Sequence, residues 1–159
     1  MPLTGNLLSQ VHAFKDLTPV EIDRIRQISH TAQYDTGHEL FCEGAVGQQF
    51  YVILEGEVDI VKAQRSTIDP WRSETEITLA TLRRGQSFGE MALLQRDVRS
   101  ATARVAQHYT RLMIFHRDDV IELCRDDPEL GFRLMANLAR DLARKLRTSN
   151  VSGMQRLIL

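Results

Sequence analysis

Between Tyr34 and His116 the chain is broken at regular intervals by glycine turns, and this punctuation constrains its fold more than any other feature. Thr36-Gly37, Glu43-Gly44, Glu55-Gly56 and Arg84-Gly85 separate short runs rich in Val, Ile, Tyr, Phe and Thr. Turns this closely spaced favour an antiparallel sandwich or roll over a parallel sheet, because parallel neighbours need long crossovers. The polar stretch 63–76, which contains Asp69-Pro70, reads as an exposed hairpin loop. Trp71 within it is expected to pack back onto the roll, with anchoring of a partner as the alternative.

Helical texture flanks this β section. Thr18-Pro19-Val20-Glu21 joins an N-cap hydroxyl, a proline at the first helical position and a glutamate three residues after the cap. Ile22, Ile25 and Ile28 follow at helical spacing. After Phe115 a short helix is expected to end near Asp126, and Pro128 opens a longer one with the apolar stripe Phe132, Met135, Leu138, Ala139, Leu142 and Leu146. That stripe either packs on its own roll or pairs with the same helix of a second chain.

The predicted fold is therefore mainly β with α. It is a double-stranded, jelly-roll-like β-roll flanked by an N-terminal helix and by C-terminal helices that include a long closing or dimerisation helix. A chain of 159 residues holds one sizeable core. The single domain 1–159 divides into a helical N-terminus 6–30, a roll 31–116, C-terminal helices 117–149 and a flexible tail 150–159. Its 43% hydrophobic and 26% charged residues suit a globular protein, with no apolar run of membrane-spanning length and no secretory signal. A cytoplasmic location is expected, with Cys42 and Cys124 as reduced, isolated thiols.

The segment 86–106, QSFGEMALLQRDVRSATARVA, carries the chemistry. Gly89 permits positive φ and close backbone approach, and the short turn from Glu90 to Leu94 presents backbone N–H groups suited to a phosphate. Arg99 supplies a planar, permanently charged fork that matches two phosphate oxygens. Glu90, acceptor-only when ionised, needs a donor beside that phosphate, such as a sugar hydroxyl. A ribose phosphate meets both requirements.

FGEMALL followed by RSAT resembles the phosphate-binding cassette of cyclic-nucleotide-binding domains, and the nine-residue step from Glu90 to Arg99 is similar to that of protein-kinase regulatory domains. LFCEGAVGQQFYVILEGEVDIV, from Leu40 to Val61, resembles two strands of the same family with paired glycines Gly44 and Gly56. The C-terminal part, from Asp127 to Leu146, is similar to the long helix of catabolite-activator-type sensors. The resemblance implies that Glu90 binds the ribose 2′-hydroxyl, that Arg99 binds the cyclic phosphate, and that Gly89, Ala92 and Ser100 complete the cradle. Phe88, Met91 and Ala101 fall within the implied site, and Arg144 and Arg147 are the candidate base contacts. Val98 stands where the kinase-type cassette commonly has proline.

The implied function is a stand-alone cyclic-nucleotide sensor, cAMP being preferred and cGMP second. It would signal by moving its C-terminal helices towards an effector protein or a second subunit through helix 128–147. The alternative is a degenerate member that has lost its ligand and serves as a protein-interaction module. No helix-turn-helix pattern follows the long helix, so DNA is not an expected partner, despite the positive charge of Arg133, Arg140, Arg144, Lys145 and Arg147. His12, His30, His38, His108 and His116 show no metal-ligand spacing, and no nucleophile–base motif occurs. Neither a metal, a cofactor nor enzymatic activity is expected.

Overall fold

The computed structural model describes residues 6–65, 68–69, 71, 74–96 and 98–151. After a 3-10 turn at His12–Phe14, helix α1 covers Pro19–Gln27. It begins as its sequence dictates: the Glu21 amide donates to Thr18 Oγ1 (3.2 Å) and the Thr18 amide donates to Glu21 Oε2 (2.7 Å). Strand β1 (Ser29–Tyr34) starts directly afterwards, so the helical N-terminus ends at Gln27, short of the expected residue 30. Thr31 to Tyr34 continue the pairing begun by Ser29 and His30 with Phe115 and Ile114, and that ladder decides the boundary.

Seven further strands follow: β2 (Glu39–Phe41), β3 (Gln49–Glu55), β4 (Glu57–Gln64), β5 (Thr75–Arg83), β6 (Ser87–Phe88), β7 (Thr102–Val105) and β8 (Thr110–His116). They form two antiparallel four-stranded sheets, ordered β1-β8-β3-β6 and β2-β7-β4-β5. Strand β3 explains how the layers stack. Successive side chains point to opposite faces, so Tyr51 and Ile53 fill the space between the sheets with Phe88, Ile60 and Leu112. Phe50, Val52 and Leu54 face the other way, under the helices. Phe14 from the 3-10 turn meets Phe50 and Phe115 edge-on there, at 6.1 and 5.6 Å between ring centroids.

Helix α2 (Met91–Leu94) is a single turn between β6 and β7; α3 (Arg117–Asp126) and α4 (Pro128–Val151) follow β8. The row that seats α4 is Leu130, Leu134 and Leu138, all buried at 1% exposure or less. Asn137 locks this docking by donating to the carbonyls of Ala13 (3.2 Å) and Lys15 (2.7 Å). The expected apolar stripe is thereby divided. Leu138 is in the core, whereas Phe132 is 75% and Leu146 46% exposed. Trp71 is likewise 94% exposed, which corrects the expectation that it packs on the roll. Its amide donates to Asp69 Oδ1 (3.0 Å), a local turn bond that needs no tertiary contact from the ring. Of the expected tail 150–159, helix α4 takes in residues through Val151, and 152–159 lie outside the described residues. Cys42 is exposed and Cys124 half-buried, both as free thiols. Among the described residues no helix is long and apolar enough to cross a membrane.

Candidate functional site

Strand β6 pairs with β3 through Tyr51–Phe88 and Val52–Ser87, and the chain then leaves the sheet at Gly89, whose φ of +79° requires glycine or strain. A Cβ there would lie 2.9 Å from Arg99 Nη1 and 3.0 Å from the Gln49 carbonyl, so its absence also admits the guanidinium. Gly47 does the same from the β2–β3 connection, where a Cβ would meet Arg99 Nε at 2.8 Å. Arg99 is fixed at its backbone as well: its amide donates to the Ala45 carbonyl (2.7 Å), and its carbonyl accepts from the Gly44 amide (2.8 Å). Val98 bridges Val46 beside it, so antiparallel pairing supplies the rigidity that a proline would otherwise give.

Arg99 is 9% exposed, and its guanidinium carbon lies 4.0 Å from the centroid of the Phe41 ring. It donates through Nη2 to Gln49 O (2.6 Å) and through Nη1 to Gly89 O (3.4 Å), while buried Nε has no partner among the described residues. Burial pulls Arg99 below its ordinary pKa; the same burial strengthens any charge-assisted bond it makes to an anion.

Glu90 is fully buried at the start of α2, and its carboxylate faces α4. Oε1 pairs with Lys145 Nζ, which also bonds Asp141 Oδ2 at 3.0 Å. Oε2 is buried, with no partner among the described residues. Burial holds the Glu90 carboxyl above its ordinary pKa, with the Lys145 ammonium opposing it only in part. For Lys145, burial acts to lower the value, and the two carboxylates outweigh it, holding the ammonium above its ordinary pKa. An ammonium beside two carboxylates is the ion-paired state, and we assign it to this cluster.

A cleft of about 620 Å³ opens next to this cluster, between β5 and α4, within the usual range for small-molecule sites. Leu79, Ala80 and Leu82 form an apolar wall; Asp141, Arg144 and Lys145 line the helix side. The cleft adjoins the cassette without reaching Arg99 or Glu90 themselves.

The structure thus brings Gly89, Glu90 and Arg99 together. Phe88 is a core residue, stacked on Tyr51 at 4.9 Å between centroids, and Ala101 is buried in the same inter-sheet core. Met91 and Ser100 are half-buried, and the Ala92 amide donates to Gly89 O (3.1 Å) inside the turn. Arg144 lines the cleft, bonded to Asp141 and to His12 Nε2 (2.7 Å), whereas Arg147 is exposed and is not part of the lining. Gly47, Gln49, Phe41, Asp141 and Lys145 were not among the candidates. A signal for the last two existed: residues 141 and 145 continue the helical row 130, 134, 138. Among the described residues there is no His/Cys/Asp/Glu cluster able to hold a metal ion.

An eight-stranded antiparallel roll carries a glycine-turned cassette with a buried acid and arginine, next to a cleft lined by the long C-terminal helix. The sequence model of the cyclic nucleotide-binding domain matches residues 31–127, and the chain belongs to that family. It is 35% identical over 129 residues to the cyclic AMP receptor protein of Thermus thermophilus, covering 81% of this chain and 56% of that protein. It is 30% identical over 135 residues to the cAMP-dependent protein kinase regulatory subunit of Schizosaccharomyces pombe, covering 79% of this chain and 29% of that one. The crystal structure of the Thermus thermophilus catabolite activator protein superposes with a TM-score of 0.74 at 33% identity, over 89% of this chain and 61% of that chain. The chain therefore spans little more than half of the first of these relatives and less than a third of the second.

Proposed function

We propose that this chain is a cyclic-nucleotide sensor that binds cAMP, with cGMP as second choice, and acts by binding, not by catalysis. The observation that carries the reading is the pair of buried, unpartnered atoms at the cassette, Glu90 Oε2 and Arg99 Nε. Buried polar atoms are normally satisfied. One acceptor and one cationic donor, buried in the cassette that the cleft adjoins, call for a ligand that carries both a hydroxyl and an anion. A ribose cyclic phosphate has both, and its base then extends along the apolar wall of β5. The relative at 35% identity is named for cyclic AMP and supports placing cAMP first, while relatives at 31% and 27% are named for cGMP and keep it second.

Signalling follows from which parts of the site belong to which element. Lys145 and Asp141 sit on α4, so a ligand that favours one placement of this helix shifts its population. The pivot is Asp127, between α3 and α4, which accepts from the Leu130 amide (3.1 Å) and pairs with Arg24 of α1 (2.5 Å). The reader of the shift is an effector protein or a second copy of the chain. The face left outward supports the second copy: Phe132, Ala139 and Leu146 recur at heptad spacing, with half-buried Met135 and Leu142 between them. Phe132→Glu combined with Leu146→Glu should then halve the mass measured by sedimentation without lowering the melting temperature. An unchanged mass would assign the signal to a heterologous partner.

The site reading is tested by calorimetric titration with cAMP and cGMP, after unfolding and refolding to remove carried-over nucleotide. Saturable binding at micromolar Kd or tighter, about −8.2 kcal/mol, with cAMP ahead, is expected. A well-folded protein that binds neither nucleotide would leave a protein-interaction module as the function.

A further inference from the structure

We propose that the hollow between the cassette loop and the start of α3 is an anion site, separate from the larger cleft, that takes the tetrahedral oxyanion of phosphate. Gln48, Arg96, His116, Arg117 and Asp118 line it. None of them lines the larger cleft, so the proposal does not depend on nucleotide binding.

The hollow measures about 100 Å³, room for about three waters and too little for a nucleotide. Two guanidiniums reach it from different elements: Arg96 lies on the loop that follows α2, and Arg117 opens α3. The Arg117 side chain is only 20% exposed, and its amide is tied to the Gln48 carbonyl (2.8 Å). Its Nε is buried with no partner among the described residues. Buried donors are normally satisfied, and this one is left over beside a second cation. His116 adds a further donor. Tyr51 Oη donates to Gln49 Oε1 (2.6 Å) and so orients that amide. Gln49 Nε2, 3.4 Å from His116 Nε2, then donates to it, which leaves the imidazole proton on Nδ1.

The structure also shows an oxyanion in place. Asp118 sets a carboxylate against both arginines, 3.5 Å from Arg96 Nη2 and 3.4 Å from Arg117 Nη1. These are the long end of hydrogen bonding, and the Asp118 side chain is 80% exposed. A carboxylate held so loosely is a tethered stand-in. Phosphate carries more charge and more acceptor oxygens, and Asp118 can swing into solvent to admit it. Glu122 and Asp126 line the adjoining groove along α3, with Arg125, and not the hollow itself. An anion held by both arginines joins the cassette loop to α3, the helix that leads through Asp127 into α4. The two elements already meet in the core, where Leu93 joins Val120 and Leu123, so the clasp closes over an existing contact.

The test titrates the whole chain with inorganic phosphate at constant ionic strength and follows the arginine Nε–H resonances by NMR. It is run on wild type and on Arg99→Leu, which takes the cassette arginine out of play. In both proteins the resonances that disappear in Arg96→Gln and Arg117→Gln should move saturably, with Kd of about 1 mM or tighter. Arg96→Gln should raise Kd at least about tenfold, the value of one hydrogen bond to a charged group. Arg117→Gln should do the same, and the exposed Arg96 suffices if the Arg117 variant fails to fold. Asp118→Asn should lower Kd by about two- to fivefold, the strength of the exposed ion pairs that phosphate displaces. Glycerol 3-phosphate tells the two sources of the group apart: equal affinity assigns the free ion, and tighter binding assigns a monoester, both at this site. Shifts confined to the Arg99 resonance, or matched by chloride, would overturn the proposal. Weaker binding in Asp118→Asn would overturn it too, since Asp118 would then build the site instead of standing in it. A failed nucleotide titration would sink the sensor reading and leave this result untouched.

Discussion

Arg99→Leu is expected to weaken cyclic-nucleotide binding by at least a hundredfold while leaving the chain folded. Each hydrogen bond from a charged group contributes about 1.5 to 3 kcal/mol, and a guanidinium facing a phosphate makes two in parallel. Losing both amounts to about two to four orders of magnitude in Kd. The scaffold can bear the change. Leucine leaves no buried charge behind, and the backbone bonds of residue 99 to Gly44 and Ala45 do not involve its side chain. The loss of stability should come mainly from the Gln49 carbonyl, which loses its donor at 2.6 Å, about 1 to 3 kcal/mol, because the Gly89 carbonyl keeps the Ala92 amide. Arg99→Lys should fall between, because a point charge keeps the attraction without the fork. Titration of the three proteins, with melting curves beside it, checks this. Binding by the leucine variant within threefold of wild type would place the anion elsewhere.

Gly56→Ala should cost about 3 kcal/mol of stability, lowering Tm by about 10 °C for a chain of this size. Gly56 joins β3 to β4 with φ at +91°. A left-handed residue with a Cβ pays about 1 to 2 kcal/mol. The new methyl would also lie 2.2 Å from Thr110 Oγ1 and 2.8 Å from the Thr110 Cα. Thr110 cannot retreat: it is fully buried in β8, its hydroxyl donates to Gln107 O (2.7 Å), and it accepts from the Glu57 amide (3.3 Å). Overpacking of this kind adds about 1 to 3 kcal/mol. Gly44→Ala separates the two costs, since Gly44 has φ +85° with nothing within 4 Å of its added Cβ. It should lose only the backbone part. Equal melting temperatures for the two variants would mean that the β3–β4 turn moves aside and that Thr110 does not pin it.

The local features were legible because their causes are local. Thr18 and Glu21 cap α1 from three residues apart, Gly56 and Gly85 turn the chain where their φ values demand glycine, and Glu90 and Arg99 flank one short segment. The alternating faces of β3 were only half visible. Its run FYVIL is buried on both sides, so the pattern alone could not say which residues meet the other sheet and which meet the helices.

What lay beyond the sequence depends on the rotation of α4. Leu130, Leu134 and Leu138 compete with Phe132, Leu142 and Leu146 for the inner face, and both rows are apolar at helical spacing. The 3-10 turn at His12–Phe14, with its carbonyls offered to Asn137, decides for the first row. That choice turns Lys145 onto Glu90 and Phe132 outward. It also leaves Arg144 on the cleft and Arg147 off it, although the two lie on the same turn of sequence. Chain order by itself determined the roll, the cassette and its acid–arginine pair, because hydrophobic period, turn chemistry and motif spacing act within a few residues. Only the tertiary structure decided which cation meets the buried acid and which helix face stays open, because both follow from a packing contact between segments more than a hundred residues apart.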